Sequence, residues 1–576
     1  MTQTLRVTLG QHSRGGVHGV NQDFHGAMLP HEPLRSRKGI AVALADGIGS
    51  SPVSQEASAA AVRSFLEDYY ATSDAWSVRR SAQRVLGATN AWLHAQTMRS
   101  HARFDKDRGY VCTFSALVVK GREVHVLHVG DARIYRLQGA AWEQITEDHR
   151  VHLSSVESYL GRALGTGPHI EIDYRCLEAE AGDLYLLATD GAYTHLDAAS
   201  AHSAVQQFPD DLDAAAQALV DIAQARGSED DITVQLLRID GLPQAQPLLG
   251  LRQELALPPV LTERMSFEGF RVVRELHVSD RSHVHLAVDE QTGQPLVLKL
   301  PSVALRDDTA YLERFVLEEW VAQRLHNPHV LRPYATQRPR THLYVAMEYI
   351  EGQTLARWMM DHPAPDLDSV RSLAAQVAKG LQAFHSKEML HQDLRPENIM
   401  IDTSGTVKII DFGSVHVAGL AENAVPVADD GVPGTLQYAA PEYFLGEPGT
   451  PQSDLFSLGV ITYQMLTGRQ PYGTQVAGIR TRAALMKLHY ASALDEHRAI
   501  PAWMDAVLRR AVHPNPLKRQ EALSEFVHDL RQPSAAYLTR ARPALYERNP
   551  MVFWRAIALV LGVTVVALLA VIQHLR

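Results

Sequence analysis

The sequence predicts an α+β multidomain protein with two large globular domains followed by an apolar helix. In residues 1–240, short apolar runs such as IAVALAD and DLYLLATDG alternate with Ala- and Leu-rich stretches, a pattern that indicates strands interleaved with helices. The block 265–532 begins with strand-like runs and becomes mainly helical after about residue 365. Residues 241–264 are rich in proline and glycine and have few periodic apolar positions, which predicts a linker.

Composition excludes several classes of protein. The 576 residues are 46% hydrophobic and 21% charged, which is ordinary for a folded protein and excludes a disordered, collagenous or mainly coiled-coil chain. The net charge is −10 and no long basic run is present, so nucleic acid is not an expected partner. Cys112 and Cys176 give neither a disulfide framework nor a zinc-ligand spacing, which favours a reducing compartment. The first residues lack an apolar core, so no secretory signal is expected.

The C-terminal region predicts a membrane anchor. The run from Ala556 to Ile572 has no charged residue, and 551–573 together are long enough to cross a bilayer as one helix, preceded by a juxtamembrane tail at 533–550. Arg548 and Arg555 lie before this segment, and the basic bias predicts that the preceding domains lie in the cytosol. A buried or amphipathic C-terminal helix is the alternative interpretation.

Acidic residues end several predicted strands of the first block. Asp23, Asp46, Asp190 and Asp230 follow or precede apolar runs, which would direct carboxylates toward one edge of a sheet. Converging carboxylates repel one another, so they need cations or raised pKa values, and hard oxygen ligands favour magnesium or manganese. Two such ions can activate water for in-line attack on a phosphoester. For any single Asp-Gly pair a simple turn is the competing explanation, but four in this order favour a site.

Six short segments carry a family resemblance. They are NQD at 21–23, ADGIG at 45–49, HVGDAR at 128–133, GRALG at 161–165, ATDG at 188–191 and DDITV at 230–234. Together they resemble the bacterial form of the metal-dependent, type 2C protein phosphatases. The resemblance implies an α/β/β/α sandwich of two antiparallel sheets flanked by helices.

The resemblance also implies a set of metal ligands. Asp46 would bridge both metals with the Gly47 carbonyl as a ligand, Asp190 and Asp230 would hold one metal, Asp23 would act at or near the metal waters, and Asp131 would join Asp190 at a weaker third site. The family usually has an arginine where this chain has His18. His18 is therefore expected to be a weaker, pH-dependent phosphate ligand, or to be incidental if the metals suffice.

The second block carries another ordered set of residues. Lys299 ends the run PLVLKL, Glu318 lies in a helical stretch, and the segments HQDLRPENIM and IIDFGS follow at 391–400 and 409–414. These residue types suit phosphoryl transfer, in which a lysine held by a glutamate neutralises nucleotide phosphates, an aspartate accepts the hydroxyl proton, and Asn and Asp hold magnesium.

This set resembles the eukaryotic-type Ser/Thr protein kinases, and the resemblance implies a bilobal kinase fold. Lys299 would pair with Glu318, Asp393 would be the base, and Arg395 would stand where a lysine normally assists transfer. The implied nucleotide and magnesium contacts are Ser279, Met347, Glu348, Tyr349, Asn398 and Asp411. Glu442 and Arg519 would form a buried structural ion pair.

Three departures from the kinase pattern leave a pseudokinase open. The nucleotide loop at 276–284 has His277, Ser279 and Ser282 where glycines usually lie, and glycine allows the closest backbone approach to phosphate. Arg395 keeps the usual charge but changes its geometry. Gln392 replaces the arginine that commonly binds an activation-loop phosphate, and the segment between Asp411 and Glu442 has few hydroxyl residues, so we expect a kinase that needs no loop phosphate.

These observations together predict a bifunctional bacterial signalling enzyme. It would use ATP and Mg²⁺ in the kinase, Mn²⁺ or Mg²⁺ in the phosphatase, and proteins carrying Ser/Thr or phospho-Ser/Thr as substrates. The expected location is the bacterial inner membrane, with a single span and both catalytic domains cytosolic. The alternatives are an active phosphatase with a nucleotide-sensing pseudokinase module and a catalytically silent membrane scaffold. The sequence leaves the substrates, the input signal and the oligomeric state open.

Overall fold

The computed structural model places the chain in two compact units. One contains residues 1–255, 386–389 and 416–429, and the other contains the remainder. The structure describes all residues except 1–3, 18, 106–107, 139–140, 153–157, 244–254, 280–281, 306–307, 337, 423–436, 474, 477–478, 480, 486, 495–499, 535–536, 539–556, 558–559, 562–563 and 565–576.

The N-terminal domain is a sandwich of two antiparallel five-stranded sheets. Its elements are β1 (Arg6–Arg14), β2 (Phe24–Met28), α1 (Leu34–Lys38), β3 (Ile40–Ala45), α2 (Ser54–Ala71), α3 (Val78–Arg99), β4 (Phe114–Lys120), β5 (Glu123–Val129), β6 (Arg133–Gln138), β7 (Ala141–Gln144), β8 (Arg150–His152), β9 (Ser158–Leu160), β10 (Asp173–Glu178), β11 (Leu184–Ala188), α4 (Asp190–Tyr193), α5 (Ala198–Gln207), α6 (Leu212–Ala225) and β12 (Ile232–Gly241). The strand orders are β1-β12-β11-β6-β7 and β10-β5-β4-β3-β2.

Side chains alternate between the two faces of each strand, and this alternation explains the four layers of the domain, two sheets with helices on both outer faces. In β3, Val42 and Leu44 pack in the core between the sheets with Leu187 and Leu237 of the other sheet. The intervening alanines of β3 face a second core formed with α2 and α3, because side chains of a strand alternate between its two faces. The helices α4, α5 and α6 cover the outer face of the other sheet. The predicted α/β/β/α arrangement is therefore present.

The second domain begins with an antiparallel sheet of order β13-β14-β15-β16-β17 and continues as a mainly helical part. The remaining elements of the chain are β13 (Ser266–Phe267), β14 (Phe270–Val278), β15 (Ser282–Asp289), β16 (Pro295–Pro301), α7 (Thr309–Ala322), β17 (Val345–Glu348), β18 (Gly352–Thr354), α8 (Leu355–Asp361), α9 (Leu367–Ser386), β19 (Met389–Leu390), β20 (Ile399–Asp402), β21 (Val407–Ile409), β22 (His416–Val417), α10 (Ala418–Ala421), α11 (Pro451–Thr467), α12 (Arg482–Leu485), α13 (Ala502–Ala511) and α14 (Leu523–Asp529).

The predicted transmembrane helix at 551–573 lies largely outside the described residues. Within the part of the chain that the structure describes, no helix has the length and apolar character needed to cross a membrane. The anchor at 551–573 therefore stays a prediction.

Candidate active sites

Carboxylates from separate segments converge at one edge of the N-terminal sandwich. The pairing of Phe24 with Ala45 places Asp23 and Asp46 next to each other, just beyond the ends of β2 and β3. Burial raises the pKa of Asp46 well above its ordinary value, and four further carboxylates raise it more: those of Asp23, Asp190, Asp131 and Asp230. All five aspartates predicted from the sequence are therefore brought together.

Asp23 is held by two threonines that sequence reasoning missed. Its Oδ2 atom accepts hydrogen bonds from Thr189 Oγ1 at 2.9 Å and Thr233 Oγ1 at 2.6 Å. Its Oδ1 atom is buried and has no hydrogen-bond partner among the described residues. Burial raises the pKa of Asp23 to about 7, despite the two hydroxyl donors. An orphaned buried carboxylate oxygen among other acids is the feature expected of a cation site, because buried polar atoms are otherwise almost always paired.

The two neighbouring aspartates at 230–231 have different environments. Asp231 accepts backbone hydrogen bonds from Gly16 at 2.8 Å and Gln22 at 2.6 Å, so its carboxylate fastens the segment that leads to Asp23. Asp230 is among the carboxylates that raise the pKa of Asp46. Asp231 in turn raises the pKa of Asp23, so both carboxylates add negative charge to the acidic cluster, and Asp230 stays the predicted metal ligand.

Arg150 provides a side-chain cation within this cluster. Its Nε donates to Asp131 Oδ2 at 2.7 Å, and its Nη2 donates to Asp190 Oδ2 at 3.0 Å. The pKa of Asp190 is raised to about 6 by burial and by Asp131 and Asp230, and the guanidinium of Arg150 opposes that rise. Arg150 was not singled out in the sequence, because no motif marks a residue that reaches acids 19 and 40 positions away.

The backbone at Gly47 is closely surrounded. A Cβ atom at this position would lie 2.8 Å from Cβ of Ser54 and 2.9 Å from the Gln22 carbonyl oxygen, so only glycine fits. The Asp46 amide donates to Thr113 Oγ1 at 3.0 Å, which fixes the start of this turn. The acidic set and this turn fit hard divalent cations bound by carboxylates and the Gly47 carbonyl. His18 lies outside the described residues.

The second domain contains a compact ion cluster centred on Lys299 of β16. The Lys299 ammonium contacts Glu318 Oε1 at 2.9 Å and Oε2 at 2.7 Å, and Asp411 Oδ1 at 3.0 Å. Burial alone would lower the pKa of Lys299, but the Glu318 and Asp411 carboxylates raise it. The pair predicted between Lys299 and Glu318 is therefore formed, and Lys299 is held as a cation.

The candidate catalytic loop at 391–400 lies between Glu318 and Asp411 in the sequence. Asn398 Nδ2 donates to the Asp393 carbonyl at 2.9 Å and to Asp393 Oδ2 at 3.3 Å. Asp454 accepts backbone hydrogen bonds from His391 and Gln392, each at 3.0 Å, which anchors the loop to α11. Gln392 and Asp411 have left-handed backbone φ angles of 63° and 65°, a conformation that is uncommon outside glycine and frequent at functional sites.

The residues expected to contact the nucleotide differ in their burial and in their hydrogen-bond partners. Ser279 closes the tip of the β14–β15 hairpin, donating from its amide to the Ser282 carbonyl at 3.0 Å and accepting from the Ser282 amide at 3.1 Å. Glu348 pairs with Lys408 at 2.7 Å, so its side chain has a structural partner, while Met347 is buried. Tyr349 follows directly after β17 and is partly buried.

Three further residues were assigned from the kinase pattern. Arg395 Nε lies 3.8 Å from Glu397 Oε2. The predicted pair of Glu442 and Arg519 is buried and bidentate, with both N–O distances at 2.8 Å. A buried ion pair of this geometry links Glu442, which follows the activation loop, to Arg519, which lies between α13 and α14.

Comparisons with known proteins agree with this division. Residues 271–530 match the family described as protein kinase domain, and residues 11–225 match the family described as protein phosphatase 2C. The chain therefore contains a Ser/Thr protein kinase domain and a phosphatase 2C domain.

Individual relatives cover only part of the chain. It is 34% identical over 197 residues to serine/threonine-protein kinases drp72 of Corynebacterium efficiens, covering 33% of this chain and 37% of that protein. It is 28% identical over 288 residues to a probable serine/threonine-protein kinase PknB of Bifidobacterium longum, covering 47% and 40%. The chain thus spans less than half of the length of these two relatives. The solved S. agalactiae serine/threonine phosphatase matches 41% of this chain and all of its own, with 23% identity and a TM-score of 0.36.

Proposed function

We propose that this chain is a bifunctional signalling enzyme that phosphorylates Ser and Thr of proteins with ATP and hydrolyses protein phosphoserine and phosphothreonine. The observation that carries the proposal is the presence, in one chain, of the Lys299 ion cluster and the Asp46 carboxylate cluster. Each arrangement supports one of the two opposed reactions.

In the kinase domain, the charged groups suit positioning and charge neutralisation. Lys299 would bind nucleotide phosphates while Glu318 holds its ammonium in place. Asp411 and Asn398 would hold magnesium, and Asp393 would accept the proton of the substrate hydroxyl. The hydrogen bond that Asn398 donates to Asp393 keeps Asn398 and Asp393 next to each other.

In the phosphatase domain, Asp46, Asp190, Asp230 and the Gly47 carbonyl would hold Mn²⁺ or Mg²⁺. Two bound ions would supply an activated water for in-line attack on phosphorus. Asp23, held by Thr189 and Thr233, would orient water beside the metals. Asp131 would contribute to a weaker peripheral site that it shares with Asp190.

A nucleotide-sensing pseudokinase is the second candidate, because Ser279 and Ser282 bond to each other where glycine amides would otherwise face phosphate. The full chain, incubated with radiolabelled ATP, Mg²⁺ and a protein substrate, should incorporate label. After ATP is removed, added Mn²⁺ should release that label as inorganic phosphate. Release from a pre-phosphorylated substrate without incorporation would establish the pseudokinase, and the absence of both reactions would establish a silent scaffold.

We also propose that residues 551–573 anchor the chain in a bacterial inner membrane with both catalytic domains in the cytosol. The support is the uncharged apolar run and the arginines that precede it. Fractionation of cells that express the full chain and a variant ending at residue 550 tests this directly. Only the full chain should sediment with membranes, and its recovery in the soluble fraction without detergent would refute the anchor.

A further inference from the structure

Three side chains with metal-binding atoms meet on two neighbouring strands, and none of them belongs to the acidic cluster. Glu123 and His125 lie two residues apart on β5, so they share one face of the sheet. Cys176 of β10 is paired directly with His125 in the strand register. A carboxylate oxygen, an imidazole nitrogen and the thiol sulfur lie within 4.8 Å of one another.

His125 supplies the independent indication of a ligand. Its side chain is buried, with 0% of the residue exposed, and its Nδ1 lies 2.9 Å from the Tyr174 hydroxyl oxygen. Its Nε2 is buried without a hydrogen-bond partner in the described part of the chain, and the nearest Glu123 carboxylate oxygen is 3.6 Å away. Since buried polar atoms are almost always satisfied, the unpaired Nε2 points to a missing partner.

The hydrogen bonding of His125 suits a metal, because its Nδ1 lies beside the Tyr174 hydroxyl and leaves Nε2 for a ligand. With the Nδ1 proton donated to Tyr174, the lone pair of Nε2 is directed into the cluster. A second hydrogen bond that fixes the tautomer of a ligating histidine is a usual feature of metal sites.

We propose that Glu123, His125 and Cys176 bind one Zn²⁺ ion, with water as the fourth ligand. A thiolate, an imidazole and a carboxylate form the mixed S/N/O set that zinc takes in tetrahedral geometry, unlike the oxygen-only cluster around Asp46. Cys176 is exposed and Glu123 is partly exposed, so the ion can enter from solvent.

Binding requires one deprotonation and a small contraction. Burial, and then the Glu123 carboxylate, raise the pKa of the Cys176 thiol to about 11, so the protein without zinc holds a thiol. On binding, the S–H bond breaks, the Zn–S bond forms, and one proton passes to solvent. Ligand atoms now within 4.8 Å would close to about 3.5 Å, as metal–ligand bonds of 2.0–2.3 Å require.

The proposed zinc site would stabilise one edge of the sandwich. The sheet order places β10 outermost beside β5, so β10 has a strand neighbour on one side. A zinc ion bound by both strands would fasten this edge without altering the acidic cluster. It would also remove the exposed Cys176 thiol from reaction with oxidants.

Co²⁺ is the probe for the test, because cobalt–thiolate bonding gives a near-ultraviolet charge-transfer band that oxygen ligands do not give. The full chain should show this band at one equivalent of Co²⁺, and Zn²⁺ should abolish it. Cys176→Ser should lose the band, and Glu123→Gln should weaken Co²⁺ binding by about tenfold or more. Cys112→Ser, which removes the chain's other thiol, should keep the band.

Zn²⁺ should also slow the reaction of the native protein with a chromogenic aryl disulfide, and this protection should require Glu123. Far-ultraviolet circular dichroism verifies that each variant is folded. The proposal is overturned if the folded wild type gives no thiolate band with excess Co²⁺, or if Cys176→Ser retains the band. It is also overturned if Zn²⁺ leaves the reactivity of Cys176 unchanged.

Discussion

Replacement of Glu318 by Gln is expected to reduce kinase activity strongly. Glu318 is 2% exposed in its side chain and contacts the Lys299 ammonium through both carboxylate oxygens, at 2.7 and 2.9 Å. The amide of Gln keeps the size of the side chain but removes its charge. Among the described residues, Asp411 would then be the remaining carboxylate partner of Lys299, which would draw this proposed magnesium ligand toward the lysine and away from the metal.

The size of the effect follows from the burial of the pair. Loss of one partner of a buried ion pair costs about 3–5 kcal/mol. Lys299 retains Asp411 at 3.0 Å, so we expect about half of that loss, roughly 1.5–2.5 kcal/mol, in the transition state. Since each 1.36 kcal/mol is tenfold in rate, kcat/KM for peptide phosphorylation should fall by about 10- to 70-fold.

The neighbouring residue provides a matched control. Glu319 lies on the same helix and pairs with Arg340 at 2.8 Å, but it is more exposed and does not contact Lys299. Glu319→Gln makes the same chemical change and should alter kcat/KM by less than about threefold, as for a partly exposed pair. Far-ultraviolet circular dichroism of both variants reports whether the kinase domain is folded, and manganese-dependent phosphatase activity reports on the other domain. A loss below threefold in Glu318→Gln, or an equal loss in both variants, would refute the assigned role of Glu318.

Three further changes test the two sites. Asp190→Asn should abolish manganese-dependent release of phosphate from a phosphopeptide while ATP-dependent phosphorylation persists, because a neutral amide is a poor metal ligand; activity at the parent level would contradict the assignment. Asp393→Asn should do the reverse, and an unchanged rate of phosphate transfer would exclude Asp393 as the base. Arg150→Ala should allow one additional Mn²⁺ to bind in calorimetry, because Asp131 and Asp190 lose their shared cation; Arg150→Lys is the control, and equal stoichiometry in all three proteins would show that Arg150 does not exclude a metal.

The strands and helices that carry the acidic cluster could be predicted from local patterns. The run IAVALAD predicts a strand that ends before Asp46, and β3 ends at Ala45. The Ala-rich stretch beginning at Ser54 predicts a helix, and α2 covers Ser54–Ala71. Hydrophobic periodicity is a property of neighbouring residues, so it can be read without knowledge of the strand order.

Contacts between distant segments could not be predicted in this way. Thr189 and Thr233 meet at Asp23 because β12 lies between β1 and β11, a strand order that no local pattern specifies. The cluster of Glu123, His125 and Cys176 has no recognisable ligand spacing, since its members meet only through the register of β5 and β10. Sequence reasoning found no zinc motif in the two cysteines for the same reason.

The two candidate active sites differ in how far their own side chains balance the negative charge. This difference explains which residues could be identified from the sequence. In the kinase site, the charge of Lys299 is paired with the carboxylates of Glu318 and Asp411 without added ions. These partners all belong to a recognisable sequence pattern, so the cluster could be predicted from it. In the phosphatase site, Asp46 is faced by four other carboxylates and Arg150 pairs with Asp131 and Asp190, so negative charge is in excess among these groups. That excess supports the proposal that the aspartates bind divalent cations, whereas Arg150, which offsets part of it, can be found only from the folded chain.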